Sequence, residues 1–284
     1  MRIMKQPVRQ TILLCLSTLL IFLAGCTTVP ITGRSQFNTV PDSLINSMAL
    51  QEYNSFLKSP ENKISTDAEK TAMVQRVGGR IADAVQRYMN EHGLADQIAD
   101  YEWEFNLIDS DQKNAWAMPG GKVVVYTGIL ETTQNEAGLA VVMAHEIAHA
   151  IARHGAERMT QGLAVTLGGV ALNEAIKDEP SATRTIFLTS YGVGTTVAVM
   201  LPYSRMHETE ADRLGLIFMA MAGYPPEEAV GFWQRMAQSK DGSAPPEFLS
   251  THPADETRIM DIKRNLPEAR RYYRPYKPVI EPPR

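Results

Sequence analysis

His145-Glu146-Ile147-Ala148-His149 sets two imidazoles four positions apart, with a carboxylate beside the first. On a helix, positions i and i+4 share a face, so both rings can converge on one ion. Glu146 is offset from His145 by about 100°. It therefore addresses a metal-activated water rather than the metal, which is the division of labour that metal-assisted hydrolysis needs. Two histidines and a glutamate are costly to bury in an apolar stretch without partners, and a divalent ion supplies the compensation.

A catalytic zinc keeps three protein ligands and leaves a fourth position to water. The run Ser204-Arg205-Met206-His207-Glu208-Thr209-Glu210-Ala211-Asp212 places Glu208 and Asp212 on one helical face. Glu208 is assigned as the third ligand of one Zn2+ per chain. Asp212 accepts a hydrogen bond from the non-ligating nitrogen of His145 or His149. His207 is the competing third ligand and would give an all-histidine site. Glu210 projects to another side and reads as a surface or salt-bridging group. His154, five positions past His149, drifts off the ligand face on a continuing helix, and His92 precedes Gly93 in a loop. Both read as structural or exposed.

The surrounding elements must hold these residues in place. The stretch from Ala137 to Gly155 is largely apolar and reads as a long buried helix opened by a capping box, Thr133-x-x-Glu136. Helices are expected over Ser43–Leu57 and from a second capping box, Thr66-x-x-Glu69, with Met73, Val77, Ile81, Val85 and Tyr88 on one face. Alternation from Tyr101 to Ile108 marks a strand. Asn114–Met118 and Lys122–Thr127 flank the turn signal Pro119-Gly120-Gly121 as two more. Two apolar segments between Gly162 and Leu201 read as buried helices joined by a loop, with membrane contact as the lesser reading. Helices are further expected over Met206–Ala222 and Pro226–Gln238, and the Pro-rich end 275–284 as a surface strap.

Together, the H-E-x-x-H and S-R-x-x-E-x-x-A-D motifs resemble those of the gluzincin metallopeptidases related to HtpX and the CAAX prenyl proteases. The resemblance extends to Asn114-Ala115-Trp116-Ala117-Met118-Pro119-Gly120-Gly121 and to His252-Pro253 with Arg258, and covers Asp67 to Arg264. With no pair of spanning helices evident around the motif, the chain looks like the soluble periplasmic lipoprotein branch, such as BepA and LoiP. The resemblance implies that Asn114, Ala115 and Ala117 belong to an edge strand that pairs with an extended peptide, favouring unfolded or misassembled polypeptides as substrates. It also brings in His252, as a catalytic donor to the oxyanion, as a fourth ligand of a resting site, or as a simple helix-entry residue. Arg258 is either a supporting group behind the ligands or a buried ion pair.

The N-terminus gives a location. Arg2, Lys5 and Arg9 precede an apolar run from Thr11 to Ala24, which ends in Leu23-Ala24-Gly25-Cys26, similar to a bacterial lipobox. Residues 1–25 read as a lipoprotein signal peptide, Cys26 as the lipidated first residue, and 26–41 as a tether leading to a metalloprotease domain over 42–284. Cys15, the other of the two cysteines, leaves with the signal, so no thiol is left for a metal. Thr27 after the lipidation site favours the periplasmic face of the outer membrane. The formal charge is −4, so nothing points to nucleic acid as a partner. The expected fold is α+β and mostly helical, zincin-like, with a small sheet and a cleft between that sheet and the H-E-x-x-H helix. The expected activity is zinc-dependent endoproteolysis in envelope quality control. A chaperone-like factor working with the outer-membrane assembly machinery is the alternative.

Overall fold

The computed structural model describes residues 26–239 and 246–275; the signal segment and the Pro-rich end after Pro275 lie outside the described residues. In chain order the elements are β1 (Cys26–Thr28), β2 (Ser35–Phe37), α1 (Asp42–Lys58), α2 (Ala68–Glu91), β3 (Glu104–Ile108), β4 (Ala115–Met118), β5 (Lys122–Tyr126), α3 (Leu130–Thr133), α4 (Glu136–Ile151), α5 (His154–Ala175), α6 (Ser181–Thr195), α7 (Leu201–Met221), α8 (Glu228–Gln238), α9 (Glu247–Thr251) and α10 (Glu256–Tyr272). Helices dominate beside a two-stranded hairpin, β1-β2, and a three-stranded sheet, an α+β zincin-like arrangement.

The sheet has the order β3-β5-β4, with β3 parallel and β4 antiparallel to the central β5. Its two faces are both covered. Val123 and Val125 point into the main core with α2 and α4, while Val124 and Tyr126 join Tyr53 of α1 in a smaller cluster. Because both faces are buried, the alternation expected of β3 fails at its end, where Leu107 and Ile108 are both inaccessible. The turn from β4 to β5 uses Gly120 and Gly121 at φ 85° and 87°, a region that side chains rarely adopt.

Helix α4 is the axis of the molecule. Every residue from Gly138 to Ile151 is buried, and the helix packs on α2, β4, α7 and α8. Neither capping box is used as the spacing suggests. Asp67 caps α2 through the Lys70 amide, and Asn135 caps α4 through the Gly138 amide. In both cases a short Asx oxygen one or two positions later outcompetes the threonine.

Three expectations need correction. The segment 26–41 is not a bare tether: β1 and β2 pair antiparallel, and Val29 is buried in the main core. The helix carrying H-E-x-x-H does not continue through His154. It stops at Ile151, Arg153 takes a left-handed conformation at φ 57°, and α5 starts afresh. That conformation costs a non-glycine residue about 1 kcal/mol, and an ion pair between Arg153 and Asp42 of α1 helps to hold it. Finally, the apolar region 162–201 is helical but uncovered. No residue of α6 is buried, and Leu167, Val170, Ile186 and Phe187 are exposed. A π-helical turn, Thr196–Met200, joins α6 to α7. Ser181–Met221 is thus a run of 41 residues, long and apolar enough to cross a membrane by length and composition.

Candidate active site

Four side chains from three regions converge. His145 and His149 come from α4, Glu208 from the second turn of α7, and His252 from the residue that ends α9. One donor atom from each lies within 4.8 Å of all the others. His145 Nε2 is 3.2 Å from His149 Nε2 and 3.4 Å from Glu208 Oε2, and His149 Nε2 is 3.3 Å from Glu208 Oε1. His252 Nδ1 lies 3.2 Å from His145 Nε2 and 2.7 Å from Glu208 Oε2. An ion with four bonds of about 2.0 Å in tetrahedral array needs donor separations of roughly 3.3 Å. The two imidazoles stand at that spacing from each other and each from one oxygen of the Glu208 carboxylate, and these nitrogen and oxygen donors suit zinc.

The close approach of α4 and α7 makes this convergence possible. A Cβ built on Gly215 would lie 3.1 Å from the backbone N and Cα of His145, tighter than ordinary contact, so glycine lets the two helices approach this closely without either giving way. Burial is uneven across the site. His145 and Glu146 have side chains 2% and 5% exposed, whereas Glu208 and His252 are 15% and 12% exposed, so solvent reaches the site from the α7 and α9 side. A cavity of about 150 Å³ adjoins Glu208 there, lined also by Arg205, Thr209, Pro253 and Arg258.

Glu146 points into the site without joining the donor set. Among the described residues its Oε1 is buried and makes no hydrogen bond, and His252 Nε2 lies 3.4 Å from it. Burial pushes its carboxyl above the ordinary value, against the pull of His252 and His145. Burial works the same way on Glu208, yet His145, His149 and His252 hold that carboxyl far below the usual range, so it stays ionised.

Each α4 histidine has its second nitrogen satisfied. His145 Nδ1 is 3.0 Å from Asp212 Oδ1, and Asp212 also accepts a 2.7 Å bond from Arg258 Nη2. Arg258 is buried and lies over the Trp233 ring at 3.4 Å, with Phe248 stacked on the same indole. The structure thus places Asp212 and Arg258 directly behind His145. In the absence of a metal, burial lowers the proton affinity of His145, but Asp212 and Glu208 more than offset this and raise its pKa to about 9. On the other side, His149 Nδ1 is 2.8 Å from His154 Nδ1, and His154 Nε2 is 3.0 Å from Glu210 Oε2.

Other residues fall elsewhere. His207 does not reach the donor set: its Nε2 is 2.9 Å from Glu157 Oε2 and its ring stacks on His154. His92 stacks on Tyr88 at the end of α2. Glu210 is buried and takes Arg34 Nε at 2.8 Å, so it is a salt-bridging group but not a surface one. β4 is an edge strand, as the resemblance implied, but Ala115 and Ala117 turn their methyls toward the main core, where small size lets β4 lie close to α4. Asn114 Oδ1 accepts from the Ala115 amide and opens the strand. The Phe248 amide bonds to Lys113 O, which ties the segment bearing His252 to the start of β4. Sequence reasoning overlooked Arg34, Glu157, Trp233 and Phe248. A helix break at Arg153, with no Pro or Gly at the break itself, left no signal that His154 would turn back to His149.

A sequence profile of peptidase family M48 matches residues 68–266. The chain is 34% identical over 243 residues to the mitochondrial metalloendopeptidase OMA1 of Schizosaccharomyces pombe, covering 85% of this chain and 66% of that one. It is 31% identical to the Saccharomyces cerevisiae protein of the same name, covering 86% and 70%. With the beta-barrel assembly-enhancing protease of Escherichia coli it shares 33% identity over 59% of this chain and 35% of the other. The chain therefore spans about two thirds of its yeast relatives and about a third of the bacterial one.

Proposed function

Since the chain belongs to peptidase family M48, we propose that it is a zinc endopeptidase hydrolysing unfolded or misassembled polypeptides in the bacterial envelope. The observation that carries this reading is the separation of roles in the site: a cluster of donors that could hold a metal, and beside it a buried Glu146 whose Oε1 makes no hydrogen bond among the described residues. A metal-binding protein without hydrolytic chemistry has no use for that carboxylate.

When bound, zinc supplies Lewis acidity to a water and to the scissile carbonyl. Glu146 takes the proton from the water, aided by the burial that raises its proton affinity, and delivers it to the leaving amine nitrogen. His252 bridges Glu208 and Glu146 through its two nitrogens. It either fills the fourth donor position of a resting site or donates to the developing oxyanion. Asp212 and His154 hold the ligand rings, and Arg258 neutralises Asp212. The free edge of β4 offers backbone groups to an extended peptide, which gives affinity with little sequence selectivity and fits unfolded substrates.

The location rests on the N-terminus. The basic flank, the apolar run and Leu23-Ala24-Gly25-Cys26 support a chain lipidated at Cys26 and held at the periplasmic face of the outer membrane. The name of the Escherichia coli relative supports the envelope, whereas the OMA1 relatives are named mitochondrial. That same bacterial name favours a second reading, in which the metal cleft binds clients of the outer-membrane assembly machinery and cleavage is secondary.

Full-length protein in detergent, assayed on a fluorescently labelled unfolded protein with bound metal quantified, tests the first reading against Glu146→Gln. Equal zinc in both, with cleavage lower in the variant by about 10²–10⁴-fold, is the expected result. Equal zinc with equal cleavage removes Glu146 from the chemistry. Survival of the physiological effect in Glu146→Gln cells favours the assembly reading.

A further inference from the structure

The second nitrogen of His149 faces a histidine where that of His145 faces a carboxylate, and the difference continues outward. Proton bookkeeping fixes every direction in the chain of contacts. If His149 Nε2 gives its lone pair to a metal, its Nδ1 carries the hydrogen and donates to His154 Nδ1 across 2.8 Å. His154 then carries its own hydrogen on Nε2 and donates it to Glu210 Oε2 at 3.0 Å. Glu210 is filled from its other sides by Arg34 Nε at 2.8 Å and Thr32 Oγ1 at 2.5 Å. The same arginine binds Glu157 with its two terminal nitrogens, at 3.0 and 2.8 Å. Every donor in this sequence meets an acceptor. Both Arg34 and Thr32 belong to the segment between β1 and β2.

We propose that His154 is the positioning residue of His149, and that Arg34 of the N-terminal hairpin anchors the outer end of this relay. The proposal rests on the metal-site reading given above. The left-handed Arg153 serves it directly, because a continuous helix would carry His154 away from His149, whereas the break turns it back. His154 is 0% exposed, so no water competes for its nitrogens. With Nδ1 accepting from His149 and Nε2 donating to Glu210, the ring carries one hydrogen and is neutral. A neutral ring here passes orientation to His149 while keeping the Glu210 charge one residue further from the ion. The hairpin is thereby a working part of the metal site rather than a spacer.

The test compares two amides at one position. Asn at 154 keeps an acceptor where Nδ1 stands, whereas Gln places its polar atoms where Nε2 stands. Metal-free full-length protein is titrated with zinc against a chromophoric chelator. His154→Asn, which keeps the bond to His149 but loses the one to Glu210, is expected to bind zinc about 3–10-fold more weakly, and His154→Gln about 10–100-fold more weakly. In zinc-loaded wild type the His149 Nδ1 proton is expected as a slowly exchanging NMR resonance that persists in the Asn variant and is lost in the Gln variant. Equal zinc affinity of the two amides overturns the role of His154. Arg34→Met is expected to weaken zinc binding by about 3–10-fold, a smaller effect for an outer link, and unchanged affinity there takes the hairpin out of the relay. Wild-type protein that takes up no zinc sinks the metal-site reading and the relay with it.

Discussion

Helices α4 and α6 are both rich in apolar residues, yet α4 is buried over fourteen consecutive positions, Gly138 to Ile151, while α6 buries none. The one that is fully enclosed is also the one that carries His145, Glu146 and His149. Apolar content therefore does not tell a core helix from an uncovered one. The polar residues are what distinguish them. In α4 each buried polar side chain except Glu146 has its partners, as burial requires. In α6, Arg184 and Tyr191 reach Asn173 and Val165 across the α5–α6 hairpin, and Thr195 bonds to the preceding turn.

The largest break of this comparison comes from shortening a side chain in α4. Leu139→Ala, at a fully buried position, is expected to cost about 2–5 kcal/mol in urea unfolding. A cost below 1 kcal/mol would mean that α4 is less enclosed than its burial indicates. Gly215→Ala sharpens the comparison at the contact between α4 and α7. The added methyl meets the His145 backbone at 3.1 Å, and overpacking of this kind is expected to cost about 1–3 kcal/mol. Zinc affinity should fall with it, because the spacing of Glu208 from the two imidazoles changes; stability lost with zinc affinity unchanged would show that the helices yield elsewhere.

Proton linkage follows from the same enclosure. Metal-free His145, raised to about 9, carries a proton at pH 7, and a ligand must be deprotonated to bind metal. Zinc uptake at pH 7 should then release a proton. Apparent affinity should weaken about tenfold, or about 1.4 kcal/mol, for each unit the pH falls below that value. Calorimetric titration in buffers of different ionisation enthalpy measures this, and zero proton release rules it out. The smallest effect is expected on the uncovered side. Ile186→Ser, at a position 66% exposed, should leave unfolding within about 0.5 kcal/mol of wild type. A larger loss would show that α6 is covered in solution after all.

The candidate donor cluster was legible in the sequence because much of it is local. His145 and His149 share a face through helical period alone, and Glu208 and Asp212 do so within one turn of α7. What was illegible depends on chain that returns from a distance. Arg34 meets Glu210 and Glu157 more than a hundred residues away, and nothing in a Thr-Gly-Arg-Ser run marks a buried ion pair. His154 was misjudged in position because its approach to His149 depends on one left-handed residue with no glycine to announce it. Glu210 was read as peripheral for the same reason, since its partners come from the hairpin. The uncovered state of α6 was hidden for a different reason: burial is a property of neighbours, and the apolar pattern of a helix does not specify whether it has any.

The donors His149 and Glu208 stand 59 positions apart, and the intervening chain makes the whole excursion through α5 and α6. A metal held by both would act as a cross-link, pinning the two ends of that excursion at one point. The entropic cost of closing such a loop rises only slowly, by about 0.6 kcal/mol for each doubling of its length. The part of the excursion beyond Glu157 and before His207 can therefore lengthen or shorten at little entropic expense, while His154, Glu157 and His207 near its two ends stay tied to the site. The donor positions and the uncovered helix α6 thus share one loop, the first at its ends and the second in its middle.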